Sequence, residues 1–176
     1  MSKPPLGIRV LDAVVPDCDS ICEFLASRTM QESRVDGGKL NSARQSKTAF
    51  VPMLSWQNPE CVHEMNRAVW TAMDRYAEDW GFGFSSIESV SIQKYEIGDY
   101  YAPHVDTGPS CSRIVSAVAY LNTVDEGGET YFNHFDYGVS PVEGRVVIFP
   151  SNYIYRHEAK PPVSGHKIAA AFWAVP

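Results

Sequence analysis

The sequence predicts an α+β fold, mainly β, in which helices from the first half of the chain pack on one outer side of a sheet pair or barrel built by the second half. Three observations lead there. Apolar residues recur at helical spacing before residue 86. From Ile87 onward the period changes to two. The strand-like runs that follow are separated by Gly, Pro and Asn/Asp turns, the pattern of many short strands in a closed or layered sheet. At 176 residues the chain suits a single domain, 1–176, with a helical support region over about 1–86 and a strand-rich core over about 87–176.

A short apolar stretch, Ile8 to Val15, precedes Pro16-Asp17, a helix start. Ile21, Phe24 and Leu25 then give that helix one apolar face. Gln31 to Thr48 is polar and contains Gly37-Gly38. It reads as a long loop or weak hairpin, the kind of segment that closes over a site. The clearest helix follows. Asn58 can cap it, Pro59 suits its first position, and Glu60 and Glu64 favour its positive end. Its stripe is Val62, Met65, Val69, Met73 (or Ala72), Tyr76 and Trp80, and Gly81 stops it. That stripe is core packing. The strands are Ser89–Tyr95, Arg113–Leu121, Glu129–Phe132, Arg145–Phe149 and Lys167–Val175.

Composition narrows the function. A formal net charge of -6 and a pI near 5.3 argue against a broad phosphate-binding surface, so nucleic acid is not an expected partner. No apolar run is long enough to span a membrane, and the start lacks the apolar core of a signal peptide. Cys18, Cys22, Cys61 and Cys111 form no disulfide-like framework, so reduced thiols in a cytoplasmic setting are expected. A metal-binding Cys18–Cys22 pair is a weaker alternative, with no histidine nearby in sequence.

His104-Val105-Asp106 puts an imidazole and a carboxylate on one side of an extended segment. A third ligand must come from elsewhere. His63 sits in the strong helix among polar neighbours, His134 follows a Gly-Gly turn, and His166 alternates to the face opposite Lys167. His157 lies soon after the apolar run Val146–Phe149, where a neighbouring strand would return it to the same end of a barrel. Two histidines and a carboxylate leave three positions open on an octahedral ferrous ion, room for a bidentate 2-oxo acid and dioxygen. The alternative reading of H-x-D is a hydrogen-bonded pair in a turn.

Lys167 opens an otherwise apolar strand, sharing one face with Ala169, Ala171 and Trp173, while Ile168, Ala170 and Phe172 share the other. With both faces apolar, a lysine there needs an anionic partner or carries a heavy desolvation cost. The distal carboxylate of 2-oxoglutarate would serve, and the alanines leave space beside it. The alternative is a lysine snorkelling from the strand end. Should Lys167 fail in this role, Arg145 is the next candidate.

These residues sit within a longer ordered pattern. It runs Tyr95-x-x-Gly98-x-x-Tyr101-Ala-Pro-His104-Val-Asp106, then Arg113-Ile114, Tyr120-Leu121-Asn122 and Gly127-Gly128-Glu129-Thr130-Tyr131-Phe132. It ends with Phe149-Pro150-Ser151, His157, Lys167 and Trp173, and upstream lies Arg44-Gln45-Ser46. The pattern resembles the 2-oxoglutarate-dependent prolyl 4-hydroxylases and their viral and bacterial relatives, strongly from about Tyr95 to Trp173. The resemblance implies a double-stranded β-helix, or jelly-roll, with helices on its major sheet. It implies iron(II) held by His104, Asp106 and His157, and 2-oxoglutarate held by Lys167 with Tyr95 and Tyr120. Dioxygen would be the other co-substrate and ascorbate a stimulant. Tyr101, Arg113 and Trp173 would lie near a peptide substrate. Arg44-Gln45-Ser46 looks like the Arg-Thr-Ser element of the family's mobile loop. A chain this short is expected to lack the family's peptide-binding domain, which argues against a collagen-type substrate and leaves the chemistry unaffected.

The expected activity is hydroxylation of a prolyl residue in a peptide or protein, releasing succinate and CO2. The same chemistry on a free amino acid or another side chain is the near alternative. A non-catalytic cupin-like binding module is the distant one, and it has no need of Lys167.

Overall fold

The computed structural model describes residues 3–33, 43–53, 55–88, 90–109 and 111–176. Gly37-Gly38 and Ser89 therefore lie outside the described residues. Among those described, two helices and thirteen strands form two antiparallel sheets with the helices on one outer face.

The first half opens with β1 (Arg9–Leu11), α1 (Cys18–Ala26), β2 (Gln31–Glu32), β3 (Arg44–Gln45), β4 (Lys47–Val51) and α2 (Glu60–Asp79). Asp17 caps α1 by accepting a hydrogen bond from the Ser20 backbone N–H at 3.1 Å. The cap expected of Asn58 on α2 is not made. Pro59 takes the cap position, and the Asn58 amide instead donates to the Pro52 carbonyl at 2.7 Å, tying the preceding loop down. The stripe Val62, Met65, Val69, Met73 and Tyr76 is buried as expected, but Trp80 is 47% exposed. Trp80 is the C-cap, where the backbone leaves the helical path, and Gly81 follows with a left-handed φ of 72°.

The second half supplies β5 (Ser86–Ile87), β6 (Val90–Tyr95), β7 (Tyr100–His104), β8 (Val115–Tyr120), β9 (Thr130–Phe132), β10 (Tyr137–Val139), β11 (Val146–Pro150), β12 (His157–Ala159) and β13 (Lys167–Val175). The major sheet runs β1-β11-β8-β13-β6-β4-β2, with β5 also pairing β13, and the minor sheet runs β10-β9-β12-β7-β3. This is the double-stranded β-helix, and the helices pack on its major sheet. The first 86 residues contribute strands as well as helices, since β1, β2, β3 and β4 all join sheets.

Two cores follow from the period-two alternation of the major sheet. Its outer face, with Ile92, Ala117, Ala119, Ile148, Ala170 and Phe172, seals against Ile21, Leu25, Val62, Met65, Val69 and Met73 of the helices. Its inner face meets the minor sheet through Tyr120, Val147, Phe149, Ala169, Phe132 and Val139. β13 lies between β6 and β8, with Lys167 opposite Tyr95 and Trp173 opposite Ser116. Phe172 is fully buried on the helix-facing side of that strand. Phe172→Ala is expected to cost about 3–5 kcal/mol of stability, read as a lower midpoint in denaturant-induced unfolding.

Candidate functional site

A cavity of about 610 Å³ opens between the two sheets. The inner face of β13 gives it a wall made of Lys167, Ala169, Ala171 and Trp173. Ser91, Gln93 and Tyr95 of β6 extend that wall, and His104, Asp106 and His157 stand opposite.

The three candidate ligands are brought together by backbone pairing. His157 of β12 and His104 of β7 are direct cross-strand partners, with ring centroids 4.4 Å apart. Asp106 lies just beyond the end of β7, and one ligand atom from each residue falls within 4.8 Å of the others. The His104 Nε2 is 3.6 Å from Asp106 Oδ1, and the His157 Nε2 is 3.7 Å from Asp106 Oδ2. Each imidazole is held by its other nitrogen. Nδ1 of His104 meets the Ala102 carbonyl at 2.9 Å, and Nδ1 of His157 meets the Tyr155 carbonyl at 3.0 Å. An Nδ1–H donated to a carbonyl leaves the Nε2 lone pair aimed at the common point, the tautomer a metal requires.

Electrostatics agree with that geometry. Burial pushes the His157 imidazole down to about 4, against the opposing pull of Asp106, so it is neutral and able to ligate at pH 7. Burial alone would raise the Asp106 carboxyl, but His157, His104 and the Ser116 hydroxyl together hold it well below the carboxylate range. The result is two imidazole donors and one firm carboxylate, a facial N,N,O set suited to a ferrous ion with open positions.

Ser116 was not anticipated from sequence. Its hydroxyl donates to Asp106 Oδ2 at 2.6 Å, and the Ser151 hydroxyl lies 2.8 Å behind it. Because the single Ser116 proton goes to the carboxylate, Ser151 is the donor of the second bond. Asp106, from the loop after the minor-sheet strand β7, is thereby fixed to β8 of the major sheet.

At the other end of the cavity Lys167 is 1% exposed, and its Nζ donates to the Gly128 carbonyl at 2.8 Å. The rings of Tyr95 and Tyr120 lie 5.1 and 5.6 Å from the ammonium. An ammonium has three N–H donors. One is used, and among the described residues no carboxylate pairs with it. Burial pushes Lys167 down to about 7, with Glu129 opposing weakly.

Tyr95 lines the cavity, whereas Tyr120 does not. Tyr120 is fully buried behind the wall and donates its hydroxyl to Thr130 Oγ1 at 2.7 Å. Thr130, which does line the cavity, is the polar group presented there. Its alternation with Tyr131 in β9 is the sequence signal that could have found it. Arg145 is not an alternative anchor. It is buried away from the cavity and donates to Asp12 Oδ1 at 2.6 Å and the Ser140 carbonyl at 3.1 Å.

At the mouth, the Arg113 guanidinium sits 3.9 Å over the Trp173 ring and is paired with Glu88 at 2.6 Å. Tyr101 stacks on His104 with centroids 3.6 Å apart, and Arg44 lies 4.6 Å over the outer face of Tyr101. The Arg44-Gln45-Ser46 segment thus reaches the site, with Arg44 Nε donating to Ser46 Oγ at 3.2 Å. His63, His134 and His166 do not line this cavity.

Residues 90–175 match the family model described as the 2OG-Fe(II) oxygenase superfamily. The match lies on the strand-rich second half of the chain and takes in His104, Asp106, His157 and Lys167. Among curated relatives, prolyl 4-hydroxylase subunit alpha-1 of Gallus gallus is 28% identical over 192 residues, covering 96% of this chain and 35% of that protein. Prolyl 4-hydroxylase 13 of Arabidopsis thaliana is 30% identical over 115 residues, covering 49% of this chain and 42% of that protein. The chain therefore spans well under half the length of these relatives. Among solved structures, the fold is similar to a Trichoplax adhaerens prolyl hydroxylase in complex with a hypoxia inducible factor oxygen degradation domain peptide fragment. The TM-score is 0.82 at 19% identity, over 96% of this chain and 83% of that one. A Pseudomonas putida prolyl-4-hydroxylase gives 0.77 at 20% identity, over 97% and 93%.

Ser116→Ala should weaken iron(II) binding about tenfold or more while leaving the fold intact, because loss of a ligand-orienting hydrogen bond typically costs metal affinity on that scale. Anaerobic iron(II) titration monitored beside circular dichroism reads both. Unaltered affinity would show that the carboxylate needs no support from β8.

Proposed function

We propose that the chain hydroxylates a prolyl residue in a peptide or protein segment, with His104, Asp106 and His157 holding iron(II) and Lys167 anchoring 2-oxoglutarate. The observation that carries this reading is a buried ammonium with unspent donors at the closed end of the same cavity that gathers the triad. A buried cation without a carboxylate is costly, and a dicarboxylic co-substrate supplies the missing charge. The overall conversion is 2-oxoglutarate, dioxygen and a C–H bond to succinate, CO2 and a C–OH. Bound iron(II) would supply the oxidative chemistry that couples these halves.

The protein's own part is positioning and exclusion. Lys167 and Thr130 present donors to the distal carboxylate, with Tyr120 orienting Thr130 and Tyr95 walling the ammonium. Ala169 and Ala171 keep the β13 wall thin along the middle of the cavity, where a five-carbon chain would lie. Tyr101, stacked on His104, and Trp173, under Arg113, give flat apolar and cationic faces at the mouth for a prolyl ring and its neighbouring peptide groups. A peptide or protein segment is proposed as partner, not nucleic acid. Ascorbate stimulation is part of the same proposal. The four cysteines are free thiols, in keeping with a proposed cytoplasmic setting.

The direct test is anaerobic loading with iron(II) and 2-oxoglutarate, admission of air, and mass analysis of proline-containing peptides for one added oxygen atom. Succinate without peptide product would point to another substrate. Neither product would leave a binding module.

Lys167→Met should raise the 2-oxoglutarate dissociation constant by several hundredfold, the equivalent of about 3–5 kcal/mol, with iron binding unchanged. In the parent, a lysine pushed down to about 7 is charged below that pH and loses its proton above it. Affinity for 2-oxoglutarate should therefore be flat at low pH and fall about tenfold per unit as pH rises beyond about 7, until the loaded complex itself titrates. In Lys167→Met that slope should vanish. Trp173→Ala should raise the peptide KM more than the 2-oxoglutarate KM, because the strand spacing puts Trp173 about 20 Å along β13 from Lys167. Equal losses in steady-state assays would mean that the indole only supports the wall.

A further inference from the structure

Two more concavities adjoin the cavity just described. The first, about 390 Å³, shares Arg44 and Phe50 with it and also contains Arg28, Glu32 and Thr48. The second, about 420 Å³, shares Arg28 and adds Lys47, Lys94 and His166 over a floor that includes Leu25 and Ile168. Phe50, 68% exposed, stands on the partition between the site and the first concavity. The first hollow thus borders the mouth at Phe50, and the second lies beyond Arg28 on the helix-facing side of the major sheet, where Lys47 is paired with Lys94.

This path departs from the rest of the protein in charge. The chain carries a net charge of -6, yet Arg44, Arg28, Lys47, Lys94 and His166 line the path against Glu32 and the nearby Glu96. Among the described residues, Lys94 is the basic group here that is ion-paired, to Glu96 at 2.8 Å. The Arg28 guanidinium rests 4.5 Å over the Phe24 ring, and among the described residues no carboxylate pairs with it. Arg44 offers a second signal, since its Nη2 is buried and has no hydrogen-bond partner. Cations left unpaired in an acidic protein, with one donor orphaned at the entrance, select an anionic occupant.

Resting on the prolyl hydroxylase reading, we propose that this path is a second substrate subsite, which takes an acidic stretch of the same polypeptide whose prolyl residue enters the cavity. Phe50 faces the cavity side of β4 and Lys47 the helix side, so an extended peptide leaving the mouth meets Arg44 and Arg28 before it rounds the β2 edge to Lys47, about three residues or more from the prolyl position. The acidic residues then lie within about three to six positions of the target. A long nucleic acid would meet the repulsion of the whole acidic molecule, whereas two or three peptide carboxylates sense mainly the local cations within a Debye length.

The test is a set of peptides with one central proline and flanks of Ala, Asp or Lys at the third to sixth positions on either side, turned over by the iron(II)- and 2-oxoglutarate-loaded enzyme. Exposed charge pairs are weak individually, so the expected preference is about three- to tenfold in KM for Asp over Ala flanks on one side, with kcat alike. Lys flanks should bind worse than Ala. The preference should disappear in the double variant Arg28→Glu, Lys47→Glu and at high salt, while the Ala-flanked peptide is processed as by the parent. Equal KM values across the flanks, or a preference that survives the double variant, overturn the subsite alone. Product from none of the peptides overturns the prolyl reading, and the subsite with it. A single-stranded oligonucleotide that displaces the Asp-flanked peptide at lower concentration than free Asp-flanked peptide does would overturn the choice of occupant.

Discussion

Burial of β13 on both faces organises this molecule. On one side Ile168, Ala170, Phe172 and Ala174 are sealed beneath the helices, and on the other Lys167, Ala169, Ala171 and Trp173 form the wall of the cavity. Since side chains alternate strictly, a one-residue slip of this strand would drive Lys167 into the helix-facing core and Phe172 into the cavity. Its register against β6 and β8 is thus fixed by the cost of burying a charge in the wrong layer as much as by hydrogen bonds. The helices matter to the site through that register, although neither touches it.

The triad depends on the other sheet. His104 and His157 face each other because β7 and β12 pair, and their order in the chain, more than fifty residues apart, is immaterial once they do. Asp106 belongs to neither strand, and Ser116 and Ser151 link it to the major sheet. The candidate metal position is therefore framed by both sheets at once, so a change in their spacing would shift the three side chains relative to one another.

How much of this was legible in the sequence follows from length and burial. Helix α2 and strand β13 announce themselves because long stripes of buried apolar residues leave an unambiguous period. Strands β2, β3, β9, β10 and β12 span two or three residues each, too few for any periodicity, and β3 is polar throughout. Their pairing comes from tertiary contact alone. Among site residues, the H-x-D spacing and the lysine in an apolar strand carry their chemistry in the sequence. Ser116 does not, because a serine in an apolar run looks like a tolerated small residue until its neighbour across the turn is known. Tyr120 shows the converse: the tyrosine is recognisable, but only the fold reveals that its hydroxyl is spent on Thr130. Arg145 was a plausible spare cation until Asp12, distant in sequence, claimed it.

The position of β13 has a consequence for how the chain reaches this state. β6 and β8 are separated in the major sheet by a strand that is made after both of them, and each keeps an open edge until it arrives. A chain synthesised from its N-terminus can assemble α1, α2 and several strands early, yet it must leave two unpaired apolar edges waiting. Those edges are templates for pairing with other copies, so the interval before β13 inserts is the one in which this protein is most open to aggregation, and to help from chaperones. Joining of the two halves of the sheet and completion of the cavity wall are then a single event.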